Sequence, residues 1–265
     1  MNISVSNIGW DKKNDDNTLE SLSKLGVNYL EIAPSIIFED LLNLKKSDIT
    51  RFKDKIKRHN MRIVSFQSLF FQFKEVNIFS NPEKSLEILK ILCDLSNELE
   101  CKNLVFGSPK NRIIPDFNSS KYYDDSLKFF DKVGDYFSSM DTILSIEPNP
   151  KIYECNFLTT TQETYDYLVS LNNNSIKLNL DLGTVKENNE DLYSIFQKNI
   201  SLINHIHISE PYLKPFKNFK MLNKLIRLVY EKRYKGFISL EMTQNNEFLK
   251  ITNKIINEID SFKSN

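Results

Sequence analysis

The sequence predicts an α/β protein folded as a (β/α)8 barrel, and three observations carry that expectation. Short runs of β-branched and aromatic residues alternate with longer amphipathic segments, the grammar of strands feeding crossover helices into a parallel sheet. Eight such runs fit into 265 residues, the number and length that a closed barrel requires. No glycine-rich phosphate loop follows the first run, which sets aside the open doubly wound sheet.

The first strand is expected at 2–7 (NISVSN) and the second at 27–32 (VNYLEI). The stretch RFKDKIKRHN is basic but carries an acid, and reads as the wet face of a helix rather than a nucleic-acid patch. It leads into a third strand at 61–66 (MRIVSF). In NPEKSLEILKILCDLSNELE apolar residues recur at threes and fours and Pro82 sits near the start, both helix signals. A strand at 102–106 (KNLVF) follows, then the helical pattern DDSLKFFDKVGDYFSSM, a strand at 142–147 (TILSIE) and the helical pattern TTTQETYDYLVSLNN. Both helical patterns open on capping residues. Strands at 176–181 (IKLNLD), 203–208 (INHIHI) and 236–241 (GFISLE) complete the set, with the amphipathic MLNKLIRLVYEKRY between the last two. No linker or shift in composition divides the chain, so residues 1–265 read as one domain.

Hydrophobic residues make up 40% of the chain, enough for a sizeable core, and 35 Lys+Arg balance 35 Asp+Glu. That balance provides no field to gather nucleic acid or anionic lipid. The three cysteines, Cys93, Cys101 and Cys155, have no metal-type spacing, and an odd number argues against a disulfide framework. The opening MNISVSNIGWDKKNDD lacks the basic start and apolar run of a signal peptide, and no stretch approaches the roughly 18 apolar residues of a membrane span. A soluble, cytoplasmic protein is expected.

Two of the three histidines stand two positions apart in INHIHISEP. Alternate residues of a strand face the same side; with Ile206 and Ile208 toward the helices, His205 and His207 face the barrel axis. The pattern of a polar residue, an apolar one and a metal-ligand type repeats on four strands: SIE ends in Glu147, NLD in Asp181, HIH in His207 and SLE in Glu241. The C-terminal strand ends of such a barrel share one face, where active sites are built. Ser145, Asn179, His205 and Ser239 would form a polar layer beneath. Taken singly, a strand-end carboxylate is usually a loop cap or half of a surface ion pair, and a lone strand histidine a hydrogen-bonded core residue. Four matching ends in a row, bringing three carboxylates to one buried rim, would repel one another without a cation. One divalent metal ion resolves that conflict, and a ligand set rich in oxygen suits Mn2+, Mg2+ or Co2+, with Zn2+ left open. His205 is expected to support a ligand from behind.

These segments carry a family resemblance. SIEPNP, LNLDLGT, HIHISEP and SLEM, spaced 34 residues from 147 to 181, 26 from 181 to 207 and 34 from 207 to 241, resemble the xylose isomerase-like TIM barrels. NIGW, GVNYLEIAP and LVFGSPKNR extend the likeness to earlier strands, and within the superfamily the sugar isomerase/epimerase branch that includes tagatose 3-epimerase is most similar. The resemblance implies that Glu147, Asp181, His207 and Glu241 hold the metal, and that Glu147 and Glu241 also act as acid and base in an enediolate proton transfer on a sugar or sugar phosphate. The chemistry agrees: proton transfer beside a carbonyl needs a base, an acid and a Lewis acid for the developing oxyanion.

Two departures stand out. Those epimerases carry histidine three positions after the aspartate, where this chain has Thr184, and an arginine after the His-x-His-x-x-Glu segment, where it has only Lys214 nearby. The metal set looks intact and the substrate grip altered. Glu31, Glu154, Asn156, Lys110, Arg112 and Glu210 are further candidates for substrate contact, each with an ordinary structural alternative; Lys110 and Arg112 would suit an anionic group such as a phosphate. Trp10 would either wall a sugar ring or pack in the core. A three-zinc nuclease of the same superfamily needs more histidines than this chain has. A metal-dependent lyase, dehydratase or hydrolase on the same barrel, and a non-catalytic sugar-binding barrel, remain the alternatives to an isomerase or epimerase; a homodimer is left open.

Overall fold

The structure is a computed structural model that describes residues 1–115 and 121–263. Its strands are β1 (Asn2–Ser6), β2 (Tyr29–Ile32), β3 (Arg62–Phe66), β4 (Asn103–Phe106), β5 (Ile143–Ile146), β6 (Ile176–Asp181), β7 (Ile203–Ile208) and β8 (Phe237–Leu240). Each lies within a run expected from the sequence. They form a closed barrel in chain order, and β8 pairs parallel with β1. The helices are α1 (Asp15–Lys24), α2 (Pro34–Ile37), α3 (Lys46–Arg58), α4 (Pro82–Glu98), α5 (Lys121–Ser139), α6 (Thr161–Leu171), α7 (Leu182–Glu187), α8 (Leu192–Asn199), α9 (Phe219–Glu231) and α10 (Phe248–Lys263). The short α2 and α7 follow β2 and β6 directly and exceed the eight helices of the sequence pattern. No helix among the described residues is long and apolar enough to cross a membrane.

Local chemistry fixes the helix ends. The Thr160 hydroxyl accepts from the Glu163 amide at 3.1 Å, and the Glu163 carboxylate accepts in return from Leu158 N and Thr159 N. This reciprocal arrangement satisfies one amide of the first helical turn and two of the chain leading into it. Asn172 ends α6 in the left-handed region, at φ 50°, which asparagine tolerates better than most residues.

The strands sort their side chains by polarity. Outward residues such as Leu144, Ile146, Leu178, Leu180, Ile206 and Ile208 are wholly buried against the helices, where most of the hydrophobic gain arises. Many of the inward residues are polar. Ser4 and Ser239 hydroxyls lie 2.6 Å apart, Asn103 Nδ2 donates to Ser65 Oγ at 2.9 Å, and Ser145 Oγ donates to Asn103 Oδ1 at 2.6 Å. Between β6 and β7 the register passes from Leu178↔Ile203 to Asn179↔His205. This bulge leaves Asn204 unpaired in the register and turned inward, where its Nδ2 donates to Asn103 Oδ1 at 2.8 Å and Ser145 Oγ at 3.2 Å.

Candidate active site

The C-terminal rim carries a cavity of about 190 Å³ whose walls include Glu147, Asp181, His207, Glu210 and Glu241. His207, buried near the end of β7, is its central group. Nδ1 lies 3.0 Å from Glu147 Oε2 and 3.1 Å from Glu241 Oε2, yet it has no hydrogen-bond partner. The opposite nitrogen, Nε2, donates to Glu31 Oε1 at 3.0 Å. The ring therefore presents an unused nitrogen to two carboxylates. Among the described residues, Glu147, His207 and Glu241 bring one ligand atom each within 4.8 Å of one another, as do Glu31, His205 and His207.

Glu147 is held from two sides: Asn179 Nδ2 donates to Oε2 at 2.7 Å and Asn149 Nδ2 to Oε1 at 3.3 Å. Glycine at position 107 allows this approach, since a Cβ there would lie 3.2 Å from Glu147 Oε1. Asp181 ends β6 and caps α7. Its Oδ1 accepts from the Thr184 amide and its Oδ2 from Ser209 Oγ, so the carboxylate lines the cavity but stands outside the Glu147–His207–Glu241 cluster. A Cβ on Gly183 would come within 2.7 Å of Ser209 Oγ; glycine there lets its own amide donate to that hydroxyl at 2.9 Å.

Burial and mutual charge set the ionisation of this group. Burial pushes Glu241 up to about 7, opposed by the His207 charge and reinforced by Glu147 and Glu31. Burial and the Glu147 charge raise Asp181 to about 6. Burial would lower His207, but the carboxylates of Glu31, Glu241 and Glu147 hold it well above the ordinary histidine value. Burial would raise Glu31, but His207 and His205 hold it well below the carboxylate range. Burial lowers His205. Buried acids gathered on one imidazole thus favour a positive charge among them, which a proton or a divalent cation can supply. The unpartnered Nδ1 and the oxygens beside it are a donor set that fits Mn2+, Co2+, Mg2+ or Zn2+.

The remaining sequence candidates divide. Thr184 lines the cavity, with Oγ1 donating to Pro148 O at 2.9 Å. Glu210 also lines it, and its carboxylate accepts from Lys186 Nζ and from Lys217 N. His205 lies beneath the rim, its Nε2 2.8 Å from Ser239 Oγ and 3.4 Å from Glu31 Oε1. Glu31 is wholly buried and outside the cavity wall. Lys110 and Glu154 pair at 3.5 Å on the surface. Asn156 binds the backbone of Ile114 through both ends of its amide. Arg112 is wholly buried; its Nη2 donates to Glu147 O at 2.6 Å and lies 3.5 Å from Leu158 O, while Nε and Nη1 have no partner. Trp10 packs on Phe248 with ring centres 5.1 Å apart and donates to Asp15 Oδ1 at 2.7 Å, away from the cavity. Lys214 sits over the Tyr212 ring, 5.6 Å from its centre.

Sequence reasoning missed Gln67, Ser68, Asn149, Tyr153 and Ser209, all of which line the cavity. Ser209, in HIHISEP, and Asn149, in SIEPNP, lay beside recognised signals. Tyr153 accepts from the Tyr212 amide at 2.8 Å and its ring meets that of Tyr212 edge-on at 5.5 Å. These contacts join the β5 and β7 loops beside the cavity.

Residues 19–264 match the family described as "Xylose isomerase-like TIM barrel". No curated protein matches the sequence. Among solved structures, 3-keto-D-glucoside 4-epimerase from E. coli superposes with a TM-score of 0.75 at 15% identity, covering 100% of both chains. D-Psicose 3-epimerase with D-tagatose from Clostridium cellulolyticum H10 gives 0.75 at 16%, covering 100% of this chain and 97% of the other. The probable 3-DHS dehydratase from Bacillus anthracis gives 0.71 at 18%, covering 100% and 99%. At such identities the likeness is one of fold.

Proposed function

This chain belongs to the xylose isomerase-like TIM barrel family, and on that premise we propose that it is a divalent-metal-dependent epimerase or isomerase of an uncharged sugar, with residues 1–265 acting as one barrel domain. The observation that carries the reading is His207 Nδ1, unpartnered and about 3 Å from two carboxylates. In it, Glu147, His207 and Glu241 hold the metal, with Asp181 as the fourth ligand. When bound, the ion supplies Lewis-acid polarisation of a carbonyl and charge stabilisation for the enediolate.

The residues of the chain supply the rest. Glu147 and Glu241 face one cavity from β5 and β8, and act as the base that takes a proton from carbon and the acid that returns one. Asn179 and Asn149 keep the Glu147 carboxylate aimed at the cavity. Tyr153 and Leu213 furnish the less polar part of the wall. No lysine or arginine among the described residues lines the cavity, which favours a free sugar over a sugar phosphate: a buried phosphate without a cationic or amide cradle is costly. Lys110 and Arg112, the candidate phosphate holders, point respectively to a surface ion pair and to backbone carbonyls.

The experiment is a Mn2+ titration of metal-stripped protein, followed by incubation of free ketoses in heavy water. Deuterium uptake at a carbon beside the carbonyl, dependent on Mn2+, is the expected result. Loss of water from the sugar would move the reading to a lyase. Binding without exchange would move it to a sugar-binding barrel, for which Thr184 in place of the usual histidine is the motivating feature.

A further inference from the structure

Among the described residues, Glu31 is an acid of the barrel interior set apart from the cavity. It ends up wholly buried, and it is absent from the cavity wall. Strands β2 and β7 are separated by β8 and β1 in the barrel, so its side chain crosses the interior to reach His207. A buried carboxylate is costly unless it is paired, and this one meets two histidines: Oε1 accepts from His207 Nε2 at 3.0 Å and lies 3.4 Å from His205 Nε2. Behind them, His205 is braced by Ser239, and Ser239 by Ser4.

The consequence falls on the other side of the ring. A nitrogen that donates to Glu31 fixes the ring orientation and, once a cation displaces the second ring proton, leaves the Nδ1 lone pair directed between Glu147 and Glu241. Without Glu31 the imidazole could turn over or carry its hydrogen on Nδ1. We propose that Glu31 is a positioning residue that orients His207 as a ligand and strengthens its hold on a divalent cation, without itself touching metal or substrate. The inference rests on the metal-site reading above.

The test compares metal-stripped wild type, Glu31→Gln and Glu31→Ala by Mn2+ titration, following the free-ion paramagnetic resonance signal, with thermal melting of each metal-free protein. Wild type is expected to bind one equivalent. Glu31→Ala is expected to bind it roughly 10- to 100-fold more weakly, the usual effect of removing such a partner. Glu31→Gln, which keeps an oxygen for the Nε2–H but loses the charge, is expected to fall between them. A merely structural role would move melting and leave the Gln variant's affinity at the wild-type value. If the alanine variant does not fold, Glu31→Gln carries the test alone: a several-fold loss supports the inference and no loss overturns it. Equal affinities in all three overturn this inference alone. Two equivalents in wild type and one in Glu31→Ala overturn it too, by making Glu31 a ligand. A wild type that binds no Mn2+ overturns the metal site and this inference together.

Discussion

The Ser209 hydroxyl donates to Oδ2 of Asp181 while accepting from the amide of Gly183. One hydroxyl thereby ties the end of β6, the start of α7 and the end of β7 into a single joint. Removing it frees an acid that stands beside, rather than within, the Glu147–His207–Glu241 cluster. Ser209→Ala is expected to weaken Mn2+ binding about tenfold and to cost about 1–3 kcal/mol of metal-free stability by leaving a buried carboxylate oxygen unsatisfied. Titration and urea unfolding measure the two effects; wild-type values in both would show that the joint is idle.

The pH dependence of the metal-free protein follows from the rim. Glu241, pushed up to about 7, holds its proton better folded than unfolded, so its contribution is present at low pH and is lost as pH rises through about 7. Raised His207 acts in the same sense: its contribution is present below the ordinary histidine value and is lost as pH passes its folded value. Depressed His205 acts oppositely, but its gain is complete above about 6.5. The metal-free melting temperature should therefore fall from pH 6.5 to 8. The slope is bounded by about 1.4 kcal/mol per pH unit for each proton involved. The rise in melting temperature on adding Mn2+ should grow over the same range, because ligands shed protons to bind. A flat profile would refute the ionisation pattern.

Arg112 tests a different kind of support. Its guanidinium grips the Glu147 and Leu158 carbonyls, the two ends of the β5 loop, but leaves two buried donors unused. Arg112→Met fills similar space and removes those orphans, so its stability should stay within about 1 kcal/mol of wild type. Arg112→Ala leaves a cavity and should cost about 3 kcal/mol. In both, amide hydrogen exchange across 148–157 should quicken. Unchanged exchange would mean that the loop is held by Asn149 and Asn156 alone.

Glu147→Gln and Glu241→Gln separate holding from chemistry. Each keeps shape and one oxygen ligand but cannot relay a proton. Deuterium incorporation into a turned-over sugar should drop by about 10²-fold or more in each, measured at saturating Mn2+. A variant that keeps wild-type exchange would remove that residue from the acid–base pair.

Much of this arrangement was legible in four short strings. Alternation in TILSIE, IKLNLD, INHIHI and GFISLE assigned faces to the strands because side chains repeat every two residues, and all eight strands fall within the runs expected for them. The convergence of Glu147, His207 and Glu241 followed from strand ends sharing one rim. What stayed hidden depends on contacts that only closure creates. Glu31 meets His207 across 176 positions of sequence, with no periodic signature to announce it. The bulge at Asn204 turns a residue inward that strict alternation would send out. Arg112 looked like a rim donor for an anion, but the chain after β4 carries it beneath Glu147, where carbonyls rather than solvent receive it. The carboxylate of Asp181 turns to the Thr184 amide because a helix begins at the very next residue, a local capping choice that strand reasoning alone does not see.

The polar lining of the barrel axis also bears on how the strands find their alignment. Moving any one strand along its neighbours by a single residue would swing its leucines and isoleucines into the axis and press its serines, asparagines or histidines against the helices. Greasy interiors penalise such an error once, through misplaced apolar area. Here it is penalised twice, since directional partners such as Asn103 with Ser65 and Ser145, or Ser4 with Ser239, would be separated as well. The axis thus works as a combination lock for strand alignment, with the tumblers set below the chamber where chemistry takes place.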